Sequence, residues 1–147
     1  MNGVKGTYTV NVFPKPWGGP GYGENAKNRL GRSAALGDVD GDGRNELLIA
    51  APDAGGAKGA ETDTGRLYIL SGSGLPKELS LPDDARVYYG MGAGDELGSE
   101  VFGRTPLAVA DLNRDGASEI VVAAPLGDGP QDRRRDCGKA YILFMKR

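Results

Sequence analysis

The chain has 147 residues, a formal net charge of −2 and no histidine, enough length for one domain with a real core. The near-balanced charge gives no basic footprint for nucleic acid, and the lack of histidine excludes His-based acid–base catalysis, His-containing triads and His-ligated zinc. The lone Cys137 makes neither an internal disulfide nor a structural zinc site, and no apolar window approaches the length of a membrane span, so the chain reads as soluble without membrane insertion.

With 25 glycines and 9 prolines, the chain is expected to fold as many short strands rather than long helices. Thr7-Tyr-Thr-Val-Asn-Val-Phe13 alternates and reads as a strand. The Pro/Gly-rich stretch 14–21 after it reads as an ordered connector. Ser33–Gly37 is a short strand of small residues that enters an acidic loop, Asp38-Val-Asp40-Gly-Asp42-Gly43-Arg44-Asn-Glu46. The run Glu46–Ala50 is continuously apolar, as in strands buried on both faces, and Ala-Pro ends it. A polar loop, 53–65, leads to a strand at Arg66–Leu70, and Arg86–Tyr89 follows as an outer strand. The pattern then recurs as a strand at Ala108–Ala110, the acidic loop Asp111-Leu-Asn113-Arg-Asp115-Gly116-Ala117-Ser-Glu119, and the apolar run Glu119–Ala123. A polar loop at 126–138 and a strand at Lys139–Phe144 complete it. The total is eight strands, an all-β fold of two four-stranded sheets, provided that the first strand completes the last sheet.

The recurrence has a fixed register. A shift of 73 superposes Asp38 on Asp111, Ala51-Pro52 on Ala124-Pro125, Gly65 on Gly138 and Tyr68-Ile69-Leu70 on Tyr141-Ile142-Leu143. Upstream, a shift of 67 aligns Tyr22-Gly23 with Tyr89-Gly90 and Leu30-Gly31 with Leu97-Gly98. The difference is an insertion around Phe102–Pro106. The competing alignment matches Phe102-Gly103 to Leu30-Gly31.

Each acidic loop places oxygen side chains at positions 1, 3, 5 and 9 around a glycine at 6, the way a short loop wraps a hard cation. Calcium prefers six to eight oxygen ligands, and the glycine permits the turn on which carboxylates converge. An EF-hand requires a bidentate Glu at position 12 and flanking helices. Position 12 is Ile49 in one loop and Val122 in the other, so that reading fails. The bland alternative is a pair of Asp/Gly turns without metal.

Several other groups have plain structural readings. Arg133-Arg-Arg135 between Asp132 and Asp136 reads as a solvated loop, and Cys137 as a loop residue. Trp17, Tyr22, Tyr88 and Tyr89 read as packing between sheets, with a sugar-stacking face as the alternative.

Taken together, Leu30-Gly31, the loop 38–46, Ile49-Ala-Ala-Pro52 and Gly65-Arg-Leu-Tyr-Ile69, with their second copies, resemble the FG-GAP repeat, the blade of integrin α-subunit β-propellers. The resemblance implies a single propeller segment over 1–147, with a strand and connector in 1–29, one blade in 30–96 and a second in 97–147. It implies two structural Ca²⁺ sites. One would be formed by Asp38, Asp40, Asp42 and Glu46 with the carbonyl of Arg44. The other would be formed by Asp111, Asn113, Asp115 and Glu119 with the carbonyl of Ala117. Two blades do not make a propeller, which has four to eight. The chain is therefore expected either to be part of a longer polypeptide or to form a head-to-tail homo-oligomer, a trimer of six blades or a tetramer of eight. The resemblance points to a carbohydrate- or protein-binding scaffold in an extracellular setting. A purely architectural unit, or part of a secreted enzyme such as a polysaccharide lyase, are the alternatives. Without histidine or an acid–base pair outside the loops, the chain is read as non-enzymatic.

Overall fold

The computed structural model describes residues 23–57, 61–73, 81–130 and 133–145. The strands are β1 (Ser33–Gly37), β2 (Glu46–Ala51), β3 (Arg66–Leu70), β4 (Arg86–Tyr89), β5 (Leu107–Ala110), β6 (Glu119–Ala124) and β7 (Lys139–Leu143). They form two antiparallel sheets in meander order, β1-β2-β3-β4 and β5-β6-β7. The predicted strand at Thr7–Phe13 lies outside the described residues, so the second sheet shows three strands among them. Phe144, expected to close the last strand, falls just beyond β7. Trp17 and Tyr22 also lie outside the described residues.

Register accounts for the core. Ala35, Leu48 and Ile69 sit in one cross-strand row, with Ala50 and Leu67 in the next row on the same face. From the second sheet, Leu107 and Val122 form one row, and Ile120 pairs with Val109 and Leu143 in another. These two faces meet in one apolar cluster, joined by Leu97, Tyr88 and Met145. Burying Leu48 and Ile120 completely stabilises this contact by about 1.5–3 kcal/mol each. Inner strands β1 and β5 come close: a Cβ at Gly37 would lie 2.3 Å from Val109 Cγ1. The sheets are also bonded directly, Ser118 N–H donating to the Asp38 carbonyl at 2.7 Å and Ser33 Oγ to the Gly98 carbonyl at 3.0 Å.

The central strands differ from expectation in one respect. Burial along β2 and β6 alternates rather than running through. Leu47, Ile49, Val121 and Ala123 are only half-buried, because the face turned away from the other sheet is thinly covered over these strands. Over β3 that face is closed by a second cluster, Ala51, Ala54 and Tyr68 under Leu30, Leu81, Ala85 and Val87.

The structure also settles the upstream register. Gly31 N–H donates to the Ala50 carbonyl and Gly98 N–H to the Ala123 carbonyl, both at 2.9 Å. Arg29 and Glu96 share φ values of 53° and 51°, and Gly31 and Gly98 share 89° and 81°. Leu97-Gly98 is therefore the structural counterpart of Leu30-Gly31. The insertion forms a tight turn in which Arg104 N–H donates to the Val101 carbonyl at 3.1 Å. Phe102 and Gly103 occupy its corner at φ 52° and 73°, as in a type I′ turn.

Candidate metal centre

Each acidic loop joins an inner strand to the central strand of its sheet, β1 to β2 and β5 to β6. This sets position 1 just after one strand and position 9 at the start of the next. In the first loop Asp38 organises the backbone. Its Oδ1 accepts Gly41 N–H at 2.6 Å and Asp42 N–H at 3.1 Å, and its Oδ2 accepts Gly43 N–H at 2.8 Å. Asp40 Oδ1 accepts Asp42 N–H at 3.1 Å, and Asp42 Oδ1 accepts Arg44 N–H at 2.8 Å. Gly43 makes the turn at φ +87° with nothing within 4 Å of a notional Cβ. The outcome is convergence: one oxygen from each of Asp38, Asp40 and Asp42 lies within 4.8 Å of the others. Three carboxylates this close, at the exposed mouth of a loop, fit a hard divalent cation, which would supply the charge that offsets their repulsion.

Glu46 has a role that sequence spacing does not reveal. It is buried, with Oε2 accepting Val39 N–H at 2.9 Å and Oε1 accepting Gly72 N–H at 3.2 Å. It therefore ties the base of the loop to the turn after β3. That turn packs so closely that a Cβ at Gly72 would sit 2.2 Å from the Asn45 carbonyl oxygen.

The second loop repeats the scheme with one change. Asp111 accepts Asp115 N–H at 3.2 Å and Gly116 N–H at 3.1 Å, and Asp115 Oδ1 accepts Ala117 N–H at 2.9 Å. Buried Glu119 accepts Leu112 N–H at 2.8 Å, the counterpart of the Glu46–Val39 bond. Asn113 Oδ1 accepts Asp115 N–H at 2.8 Å. Its amide nitrogen donates to Asp115 Oδ2 at 3.2 Å and Glu119 Oε1 at 3.1 Å. The amide thus partly fills the role of a cation between two carboxylates, and this loop carries one charge fewer. Both loops are flanked by strands, which removes the EF-hand alternative.

The opposite end of the sheets carries a polar cluster that sequence reasoning missed. Arg66 Nη1 donates to Glu24 at 2.5 Å and its Nε to the Gly55 carbonyl at 2.6 Å, and Tyr68 Oη donates to Glu24 at 2.7 Å. Burial alone would raise the Glu24 carboxyl, but hydrogen bonds from Arg66 and Tyr68 outweigh it and hold it below its ordinary value. Burial, then the bond to Glu24, pushes the Tyr68 phenol up to about 12. Arg66 also stacks 5.2 Å from the Tyr89 ring centroid. At the equivalent place in the second sheet, Lys139 Nζ pairs with buried Asp95 at 2.7 Å. The only sequence signal for this cluster was the shared basic-x-Tyr spacing of Arg66/Tyr68 and Lys139/Tyr141. Its acidic partners, Glu24 and Asp95, lie more than forty residues away by chain and do not correspond by repeat position. Cys137 and Arg133–Arg135 lie exposed on the loop, as expected. Tyr88 packs against the inter-sheet core, whereas Tyr89 is 40% exposed beneath Arg66.

Comparison with known proteins agrees with this architecture. The FG-GAP repeat model matches residues 30–70 and 102–143, so this chain belongs to the FG-GAP repeat family. The second match starts at Phe102-Gly103, whereas the hydrogen-bond equivalence starts at Leu97. Among the relatives, integrin alpha-IIb of Mus musculus is 37% identical over 129 residues, covering 84% of this chain and 11% of the relative. Integrin alpha-PS2 of Drosophila melanogaster is 35% identical over 119 residues, 78% of this chain and 8% of the relative. Human phosphatidylinositol-glycan-specific phospholipase D is 33% identical over 120 residues, 79% of this chain and 13% of the relative. The chain spans about a tenth of the length of these relatives.

Proposed function

We propose that the chain is a calcium-binding, non-enzymatic β-propeller segment that serves as a ligand-binding scaffold for carbohydrate or protein in an extracellular setting. The ring is completed by further blades of the same kind. From whole copies of this chain, three make six blades and four make eight. The observation that carries the reading is the convergence of Asp38, Asp40 and Asp42 within 4.8 Å at a strand junction, in a loop whose pattern recurs at 111–119. Asp38, Asp40, Asp42 and Glu46 would hold one ion, with the Arg44 carbonyl. Asp111, Asn113, Asp115 and Glu119 would hold the other, with the Ala117 carbonyl. Bound calcium would clamp the inner strand to the central strand and neutralise the loop. Buried Glu46 and Glu119 anchor the far side of each loop to backbone N–H groups, so the cage is organised before the ion arrives. That arrangement supports a structural ion rather than a sensor.

Calorimetric titration tests this. Two sites per chain with affinities in the range of extracellular modules, Kd about 10⁻⁴–10⁻³ M, are expected. No heat at 10 mM added calcium and no change in melting temperature would sink the reading. Glycan and protein-ligand arrays, run with calcium present, then separate the carbohydrate-binding form of the proposal from the protein-binding form. No binding on either array would favour the architectural alternative.

A further inference from the structure

Among the described residues two sheet faces remain wholly or partly open after the internal contact is made, and the 73-residue repeat relates each of them to a face already buried. The face of β5-β6-β7 turned away from the first sheet carries Ala108, Val121, Ala123, Ala140 and Ile142, in cross-strand register. Shifted back by 73, these are Ala35, Leu48, Ala50, Leu67 and Ile69, the face by which the first sheet packs into the core. At the other end the open part of the face lies over β1 and β2 and carries Ala34, Leu36, Leu47 and Ile49, beside the β3 part that Leu30, Leu81 and Ala85 already cover. Shifted forward, these are Leu107, Val109, Ile120 and Val122, the face by which the second sheet packs. The chain thus buries one complementary pair of faces and leaves the matching pair at its two ends. Both ends are apolar and accessible: Leu36 is 63% exposed and Ile142 52%.

Glycines at the two ends fit the same pattern. At the internal contact a Cβ on Gly98 would lie 2.4 Å from Ala50 Cβ, and one on Gly65 would lie 2.3 Å from Leu97 N. Their repeat counterparts are Gly31 and Gly138. Gly31 has nothing within 4 Å, and Gly138 has only the Pro125 carbonyl, at 3.6 Å. No described residue fills, at either end, the space that the internal contact fills.

We infer that the open face of β5-β6-β7 binds the open face of β1-β2-β3-β4 on a second copy of this chain, reproducing the internal sheet-on-sheet contact. Leu30-Gly31 of the second copy then seats against Gly138 and Ala123 of the first. The contact is heterologous, joining two different surfaces, so each copy accepts one neighbour and offers itself to another. One pair departs from the internal contact. Where Gly37 meets Val109 inside the chain, Ala110 meets Leu36 between copies, so the inner strands stand further apart at that seam. The inference rests on the proposed reading of the chain as a propeller segment; Ala140 and Ile142 on β7 lie away from the acidic loops, whereas Leu36 lies two residues before Asp38.

The test uses one disabled face at a time. Leu36→Asp removes one face and Ile142→Asp the other, with Ala140→Lys as a second variant for the latter. Circular dichroism confirms folding, and light scattering at fixed calcium reads mass. The wild type is expected at three or four times the chain mass and each variant as a monomer. An equimolar mixture of Leu36→Asp with Ile142→Asp is expected to give a dimer, because one intact face remains on each partner. A wild-type ring whose variants still assemble, or whose mixture stays monomeric, overturns the face assignment and leaves the ring standing. Complementation in the mixture with a wild type that grows without closing supports the face assignment and removes the ring. A monomeric wild type at calcium saturation overturns both.

Discussion

Replacing Asn113 with Asp separates the calcium-free from the calcium-bound loop, because the substitution acts in opposite directions on the two. The Asn113 amide donates to Asp115 at 3.2 Å and to Glu119 at 3.1 Å. Aspartate removes both donors and adds a charge beside two carboxylates. Half-exposed hydrogen bonds of this kind contribute modestly, so the metal-free variant loses about 1 kcal/mol. For a domain of this size that is a fall of about 2–4 °C in melting temperature. With calcium the extra charge becomes a ligand that matches the first loop, and an affinity gain of about tenfold corresponds to about 1.4 kcal/mol at saturation. The gap between chelated and calcium-saturated melts therefore widens by about 3–6 °C. The assay is a pair of thermal melts at matched protein concentration, in EDTA and in excess calcium, supported by calorimetric titration. A shift of the same size and sign in both buffers would show that Asn113 acts only through local hydrogen bonding, and the metal argument for the second loop would fall.

Three further outcomes follow from the opposite end of the sheets and from the turn geometry. Glu24→Ala leaves the Arg66 side chain, 9% exposed, without its carboxylate, and urea unfolding should register a loss of about 2–4 kcal/mol; a loss below 0.5 kcal/mol would mean the guanidinium is satisfied by the Gly55 and Gly56 carbonyls alone. Tyr68, held up to about 12, should be the last tyrosine to ionise in an ultraviolet titration, and Tyr68→Phe should delete that step. Because its folded value is raised, the protonated phenol is favoured in the folded chain, so stability does not vary with this group's titration below the ordinary phenol value near 10 and falls as pH rises through about 12; tyrosines that all ionise together near 10 would contradict this. Gly65→Ala places a Cβ 2.3 Å from the Leu97 backbone at φ +82°, whereas Gly43→Ala has the same hand of φ and open space. The first should abolish cooperative unfolding and the second should cost about 1–2 kcal/mol, as read from chemical denaturation.

How much of this was legible in the sequence varies by element. β3, with its Tyr-Ile-Leu core, and β4 match their expected bounds because alternating or continuous apolar residues between turn signals leave few other choices. β5 begins one residue earlier than expected, at Leu107, and β6 runs one residue further, to Ala124, since pairing partners rather than propensity set strand ends. The acidic loops were plain from spacing, but their internal differences were not. Glu46 reads as a ligand by position, and its two bonds to backbone N–H groups depend on where the turn at Gly72 lies in space. Asn113 reads as a weaker ligand, and its amide bridge requires Asp115 and Glu119 to converge.

By itself, the sequence determined the all-β fold, the four strands of the first sheet, the 73-residue recurrence, the hairpin position of both acidic loops and the family. These follow from local periodicity, glycine placement and fixed spacing, which act over a few residues at a time. Only the tertiary structure decided between Leu97-Gly98 and Phe102-Gly103 as the counterpart of Leu30-Gly31, that Glu24 partners Arg66 and Tyr68, and that β2 and β6 are fully covered on one face and half-covered on the other. Those features come from packing one sheet on another, where residues distant in the chain choose partners by shape and burial that no local pattern encodes.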